Sequence, residues 1–174
     1  MAKIYDKGFP LGTVLIMNFF MVTTYAAGVW LFSLINIFLG ALFLIFIIYI
    51  ESSVYREGCK YCFYYGKRCA FGRGLLAPLF MKKGDPKKFC EHELTRKDFI
   101  PTMLPAFLPL VAAVYIIFTQ GFSWVVTLLG AYPFIVSFLG NPIFYGRMAC
   151  PHCKQGSICC PAMEFFMKRE KAKK

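Results

Sequence analysis

Residues 10–50 read PLGTVLIMNFFMVTTYAAGVWLFSLINIFLGALFLIFIIYI, a run without one charged side chain. A helix needs about 20 apolar residues to cross about 30 Å of hydrocarbon, and this run is about twice that length. It therefore predicts two transmembrane helices joined by a tight turn. We place the turn between Gly28 and Asn36, where small and polar residues interrupt the run and Trp30 would lie at the membrane interface.

The same pattern returns between Phe99 and Arg147, where a second uncharged run contains a polar break at residues 119–124. This run predicts two further helices. They carry Pro101, Pro105, Pro109, Pro133 and Pro142. Because proline leaves backbone carbonyls without partners, we expect these helices to be kinked and packed against neighbouring helices.

The composition agrees with a membrane protein. Hydrophobic residues make up 58% of the 174 residues, compared with about 45 to 50% in soluble domains. The first apolar run is too long for a cleavable signal and another follows it closely, so we expect it to be retained as a helix. The predicted fold is an all-α membrane protein with four transmembrane helices arranged as two tandem hairpins.

The basic residues predict the orientation. All 20 lysines and arginines lie in the N-terminal tail, in residues 51–98 or after Asn141. Four spans place these segments on one side, and the positive-inside rule makes that side cytoplasmic. We therefore expect a multi-pass protein of the cell membrane with its N-terminus, cysteine motifs and C-terminus in the cytoplasm.

The net charge of +11 is thus concentrated on one face of the protein. Such a face orients the protein and contacts anionic lipid headgroups. A docking surface for an acidic partner protein is a second interpretation, and we expect no nucleic-acid partner.

Each predicted hairpin leads into a cysteine motif, which we call a knuckle. The first knuckle contains Cys59, Cys62, Cys69 and Cys90, and the second contains Cys150, Cys153, Cys159 and Cys160. Since the cytoplasm is reducing, eight thiols there argue against a disulfide framework and favour metal ligation or redox chemistry. Each Cys-x-x-Cys turn lets two sulfurs reach one centre, and the later cysteines complete a set of four.

Two features leave the grouping of these cysteines open. Neighbouring side chains such as Cys159 and Cys160 tend to diverge, so one of them could complete the first set while Cys90 completes the second. His92 and His152 could each replace a thiolate, although a histidine beside such a motif is more often a hydrogen-bonding or surface residue.

Several features favour iron over zinc. There are two sets of four cysteines, each with a single Cys-x-x-Cys, and Pro161 follows Cys160 as at the end of ferredoxin motifs. Tyr61 and the aromatic residues at 63–65 could shield a cluster from water. We predict two iron–sulfur clusters of the [4Fe–4S] type. Two Zn²⁺ ions are the alternative, because the same thiolates would close a tetrahedral zinc shell.

The two halves of the chain look like an internal duplication. Superposing them aligns the first three cysteines of the first knuckle with Cys150, Cys153 and Cys160. We therefore assign residues 1–98 to the first hairpin and knuckle and residues 99–174 to the second, within one compact membrane domain. An apolar stretch ending in basic residues follows each knuckle, at 74–83 and 163–169. These stretches suit helices in the headgroup region, or covers for the knuckles.

This architecture resembles the membrane-bound polyferredoxin subunits of quinol-dehydrogenase systems, in which transmembrane hairpins lead into cytoplasmic cysteine motifs. The segment Arg68-Cys-Ala-Phe-Gly-Arg-Gly-Leu-Leu and the dipeptide Cys160-Pro161 are similar to the Cys-Pro-x-Gly patterns of that family. The resemblance implies transfer of electrons to or from a quinone-type carrier.

The sequence also excludes several activities. No predicted span contains a histidine for paired haem ligation or a charged residue at mid-membrane for a proton relay. The sequence contains no phosphate-binding glycine loop and no carboxylate pair with catalytic spacing. We therefore expect a non-catalytic redox or structural subunit of an oxidoreductase complex.

The predicted function is electron transfer by a membrane-embedded iron–sulfur subunit of a larger complex, between a cytoplasmic partner and a lipid-soluble carrier. One alternative is a zinc-stabilised structural or assembly subunit of a membrane enzyme. The other is a membrane protein that handles soft metal ions.

Overall fold

The computed structural model describes residues 3–91, 96–160 and 163, and every regular element in those ranges is helical. The helices are α1 Leu11–Ile35, α2 Ile37–Val54, α3 Arg73–Phe80, α4 Lys87–Glu91, α5 Arg96–Gln120, α6 Trp124–Ile135, α7 Asn141–Ile143 and α8 Lys154–Ile158. Four helical segments are long and apolar enough to cross a membrane: Leu11–Ile35, Ile37–Cys59, Ile100–Gln120 and Trp124–His152. The prediction of an all-α chain with four such helices is confirmed for the residues described.

The turn between α1 and α2 is a single residue, Asn36, at the far end of the predicted range. Its side-chain oxygen accepts a hydrogen bond from the Phe38 N–H at 2.8 Å, so Asn36 caps the start of α2. Gly28 lies inside α1, where an added Cβ would come within 2.5 Å of the Phe43 ring. This glycine allows α1 and α2 to approach closely and does not break the chain.

The predicted polar break in the second apolar run is confirmed. Helix α5 ends at Gln120 and α6 begins at Trp124, with Gly121 between them in the left-handed region at φ +94°. Helix α5 continues through its three prolines, of which Pro109 is fully buried. We expected the prolines of this helix to pack against neighbouring helices, and the burial of Pro109 agrees with that expectation.

Beyond α6 the fourth span departs from regular α-helix. It continues through π-helical turns at Val136–Gly140 and Phe144–Ala149, on either side of α7. Pro142 lies in α7 and lacks the N–H that would bond to the Phe138 carbonyl in a regular helix. A missing bond of this kind accounts for the local widening of the helix.

The described chain forms two compact units, and each draws on both halves of the sequence. We call Phe19–Glu51 with Thr95–Gly140 the helical unit, and Met1–Asn18, Ser52–Leu94 and Asn141–Lys174 the cysteine unit. The sequence-based division between residues 98 and 99 follows the internal repeat. The compact units instead follow the alternation of apolar and polar segments along the chain.

The helical unit has a core of small and branched side chains. Its buried members are Leu31, Ala112, Ala113, Ile116 and Val126. An added Cβ on Gly130 of α6 would collide with the Ala113 methyl of α5, so these two helices are in close contact. Large side chains such as Phe38 and Phe118 face outward, 81% and 86% exposed. Apolar residues on the outside suit helices that contact lipid.

The cysteine unit has a core of its own. It consists of Phe9, Met17, Tyr64, Ala70 and Ala149. The Phe9 and Tyr64 rings lie 5.5 Å apart, and each side chain is only 1% exposed. These two rings are the largest fully buried side chains of the unit among the described residues.

Helix α3 of the cysteine unit exposes its apolar side chains. Leu79 is 75% exposed and Phe80 is 71% exposed, with Lys82 and Lys83 directly after the helix. This exposure favours the predicted headgroup-region helix over a cover for the knuckle. The corresponding stretch at 163–169 lies outside the described residues except for position 163.

Candidate metal centre

The first knuckle begins where the second span ends. The chain leaves α2 through a π-helical turn, Tyr55–Cys59, and the Cys62 N–H donates to the Cys59 carbonyl at 3.3 Å. A further turn follows, since the Tyr65 N–H donates to the Cys62 carbonyl at 3.1 Å. Consecutive turns of this kind bring the two ends of the Cys-x-x-Cys motif close together.

Cys69 lies in the turn that precedes α3, where its carbonyl accepts a hydrogen bond from the Gly72 N–H at 2.9 Å. Its sulfur accepts a hydrogen bond from the Gly74 N–H at 3.4 Å. An added Cβ on Gly74 would collide with the carbonyl oxygens of Tyr64 and Lys67, so only glycine fits there. Gly74 thus allows the backbone of α3 to approach the first knuckle closely enough to donate to the Cys69 sulfur.

The second knuckle forms a short turn followed by a short helix. Cys150 begins a 3₁₀ turn, and the Cys153 N–H donates to the Cys150 carbonyl at 3.2 Å. Helix α8 separates Cys153 from Cys159, whose N–H donates to the Gln155 carbonyl at 3.0 Å. Cys160 follows directly.

Two buried side chains join the knuckles to each other. The Gln155 side-chain oxygen accepts from the Phe63 N–H at 2.8 Å, and its NH₂ donates to the Cys159 carbonyl at 3.0 Å and to the Cys159 sulfur at 3.6 Å. The Tyr64 hydroxyl accepts from the Lys154 N–H at 3.0 Å. Neither connection was predicted from the sequence, because nothing in the pattern marks Gln155 as the one buried amide of its segment.

The N-terminal tail also contacts the second knuckle. The Tyr5 N–H donates to the His152 carbonyl at 3.0 Å, and the two rings stack at 4.9 Å. His152 Nδ1 donates to the Lys3 carbonyl at 2.7 Å. The interpretation of His152 as a hydrogen-bonding residue is therefore confirmed, whereas His92 lies outside the described residues.

Two of the eight cysteines are joined in the structure. Cys90 and Cys159 form a disulfide with their Cα atoms 5.4 Å apart. This pairing differs from the expectation that all eight cysteines remain thiols, and in this form neither sulfur can bind a metal ion. The contact joins residues 69 positions apart, so no local motif signals it.

The other six cysteines form no disulfide, and electrostatic interactions connect them into one group. Cys62 interacts with Cys153, Cys69 and Cys59. Cys153 interacts in turn with Cys160 and Cys69. Cys150 interacts with Cys160 and Cys153, which completes the group. Members of the first knuckle therefore interact with members of the second. The division of the cysteines into ligand sets stays a prediction.

Burial controls the protonation of this group. The pKa of Cys62 is raised to about 12, chiefly by burial. The Tyr64 backbone hydrogen bond lowers this pKa in part, and the neighbouring Cys153, Cys69 and Cys59 sulfurs make smaller raising contributions. Burial also raises the pKa of Cys153, with a smaller contribution from Cys160. These thiols are therefore protonated at neutral pH unless a cation compensates the negative charge of the thiolate.

Among the described residues, no three His, Cys, Asp or Glu side chains are arranged to hold one metal ion. Binding a metal or cluster in this group would therefore require the sulfurs to rotate towards a common point.

Comparison of the chain with protein-family models, with curated proteins and with solved structures finds no match. The resemblance to polyferredoxin subunits consequently stays a prediction. The cysteine group itself is the basis on which a function can be argued.

Proposed function

We propose that the protein is a membrane-embedded iron–sulfur electron-transfer subunit whose cysteine unit holds the clusters. The observation that carries this proposal is the gathering, in one unit, of six cysteines from both knuckles that form no disulfide and interact electrostatically. Thiolate sulfur is the ligand that iron–sulfur clusters use in proteins. A chain that brings so many thiols together has the donor chemistry for such a centre.

Hydrogen bonds to sulfur support the same interpretation. The Gly74 N–H points at Cys69 and the Gln155 amide at Cys159. Donors of this kind stabilise the negative charge on a ligating sulfur and tune the potential of the centre. Since burial disfavours an uncompensated thiolate at Cys62, a bound cation would supply the missing positive charge.

The proposed ligands are the six cysteines that form no disulfide, together with Cys90 and Cys159. Their disulfide would first be reduced to two thiols by a dithiol reductant of the cytoplasm, which supplies two electrons and two protons and is itself oxidised to a disulfide. When bound, the clusters supply one-electron transfer. Phe63 and Tyr64 pack beside the first knuckle, with their rings 5.2 Å apart, and would exclude water from this side.

The surrounding sequence suggests the partners. The four candidate spans and the distribution of basic residues support a cytoplasmic position for the cysteine unit, at a cell membrane containing anionic lipid. We propose that the protein works within a larger complex. Its electrons would pass between a cytoplasmic subunit and a quinone-type carrier in the membrane.

Metal analysis of protein purified without oxygen tests the proposal. We expect about eight irons per chain, four for each cluster, with broad absorbance near 400 nm that bleaches on reduction. Cys62→Ser should lose at least one cluster, because Cys62 lies at the centre of the connected group. Ser157→Ala is the matched control. It removes an exposed hydroxyl in α8 and should keep the full iron content. Colourless protein without iron would contradict the proposal.

A second candidate function is a structural or assembly subunit stabilised by two Zn²⁺ ions. The turns and short helices around Cys150, Cys153 and Cys159 favour it, because zinc often fastens loop-rich segments of this kind.

Two measurements separate the candidates. Zinc-bound protein should contain about two zinc ions per chain and show no reversible reduction, and chelation should unfold the cysteine unit. Iron–sulfur protein should show a reduction signal that Cys62→Ser abolishes or shifts.

A further inference from the structure

A cavity of about 220 Å³ lies in the cysteine unit beside the Cys62 side chain. Its walls include the side chains of Lys67, Lys83 and Tyr65, and Gln155 also contributes to the lining. The cavity is smaller than the 300 to 1,000 Å³ typical of sites for drug-sized ligands. Its volume therefore suits a small group, such as a single phosphate with a short substituent.

The charge of the cavity is positive. Two lysines line it, and none of the described lining residues is acidic. The nearby Asp85 carboxylate accepts a hydrogen bond from the Lys87 N–H at 3.0 Å. Two lysine charges around one small cavity favour a dianionic ligand, and lysine binds phosphate as a point charge.

The cavity is held in shape by contacts already present. The Lys67 ammonium lies 4.4 Å from the centre of the Phe63 ring, and the Tyr65 hydroxyl donates to the Met81 carbonyl at 2.6 Å. The Gln155 amide is fixed by its bonds to the Phe63 N–H and to Cys159. One of the two cations is therefore positioned before any ligand binds, which lowers the entropic cost of binding.

We propose that this cavity binds a phosphate group between Lys67 and Lys83, next to the first Cys-x-x-Cys motif. Two sources would supply this phosphate group: a free small phosphate, or the headgroup of an anionic phospholipid. Neither lysine is among the proposed metal ligands, so the test of phosphate binding does not require bound iron or zinc.

The experiment uses the full chain in detergent with neutral headgroups, at low ionic strength. Phosphorus NMR line broadening measures binding of inorganic phosphate, and native mass spectrometry measures retention of phosphatidylglycerol after extraction from mixed vesicles with phosphatidylcholine. Lys67→Gln and Lys83→Gln should each weaken binding about tenfold, as expected for loss of one charged hydrogen bond. Lys82→Gln is the matched control, because Lys82 adjoins Lys83 but does not line the cavity.

Each outcome decides the proposal. Phosphate binding that both glutamine variants weaken supports a free phosphate ligand, and retention of one phosphatidylglycerol that both variants lose supports a lipid headgroup. Failure of both probes, or an equal loss in Lys82→Gln, overturns the proposal in favour of a diffuse basic surface.

If a glutamine variant does not fold, as judged by circular dichroism, Lys67→Arg and Lys83→Arg replace it. Loss of binding in these charge-conserving variants would also overturn the site.

Discussion

The helical unit packs through small side chains on long helices, whereas the cysteine unit is linked by hydrogen bonds between segments far apart in the sequence. Gly130 lies against Ala113 in the first, and Gln155 bonds to the Phe63 N–H in the second. All eight cysteines belong to the cysteine unit.

This difference predicts how strongly mutations destabilise each unit. Helices in a membrane satisfy their backbone groups internally, so a lost side-chain contact leaves their hydrogen bonds intact. Turns and loops rely on individual donors and acceptors, and loss of one leaves a buried group unpaired. Equivalent mutations should therefore cost more in the cysteine unit.

The largest effect is expected for Gly74→Ala in the cysteine unit. The new methyl would collide with the Tyr64 and Lys67 carbonyl oxygens, and backbone cannot rotate away as a side chain can. We expect a loss of about 3 kcal/mol in the free energy of unfolding, at the upper end for overpacking. Denaturant titration followed by thiol labelling measures it.

Gly58→Ala is the control for that variant, because an added Cβ there meets nothing within 4 Å. It should be close to neutral. If both variants had the same stability, the tight approach of Gly74 to the first knuckle would be refuted.

A smaller effect is expected for Gln155→Ala. The substitution removes the acceptor of the buried Phe63 N–H and the donor to Cys159, at a cost of about 2 kcal/mol. Alkylation of the thiols by a neutral reagent should become faster, because the two knuckles lose a connection. Ser157→Ala, at an exposed position of the same helix, should leave the rate unchanged.

The smallest effect is expected in the helical unit, for Tyr132→Phe. Its hydroxyl shares a hydrogen bond with the Thr23 hydroxyl at 2.7 Å. Such bonds between membrane helices average about 0.6 kcal/mol. Unfolding in mixed micelles should show this small loss and no change for Tyr115→Phe, whose side chain is 53% exposed. A loss as large as that of Gln155→Ala would remove the contrast between the units.

The sequence predicted the helical unit better than the cysteine unit. Long uncharged runs require membrane helices whatever their partners, so the four spans and the break before Trp124 follow from composition and length. Gly28 shows the limit, because glycine marks both turns and close helix contacts, and only the position of Phe43 decides between them.

In the cysteine unit the sequence identified which residues gather but not how they pair. The predicted orientation brings all eight cysteines to one side, and the structure places them in one unit. The Cys90–Cys159 disulfide and the Cys62–Cys153 interaction join distant segments, which spacing within one motif cannot reveal. The Tyr5–His152 contact was missed for the same reason.

That contact between the N-terminal tail and the second knuckle has a consequence for biosynthesis. Tyr5 leaves the ribosome early, but its backbone partner at His152 is made only after the fourth span. The four candidate spans can form as they emerge, whereas this contact cannot form until translation has passed His152. The tail therefore stays without its partner throughout synthesis of the four helices, and any centre built from both knuckles can assemble only after translation of the second.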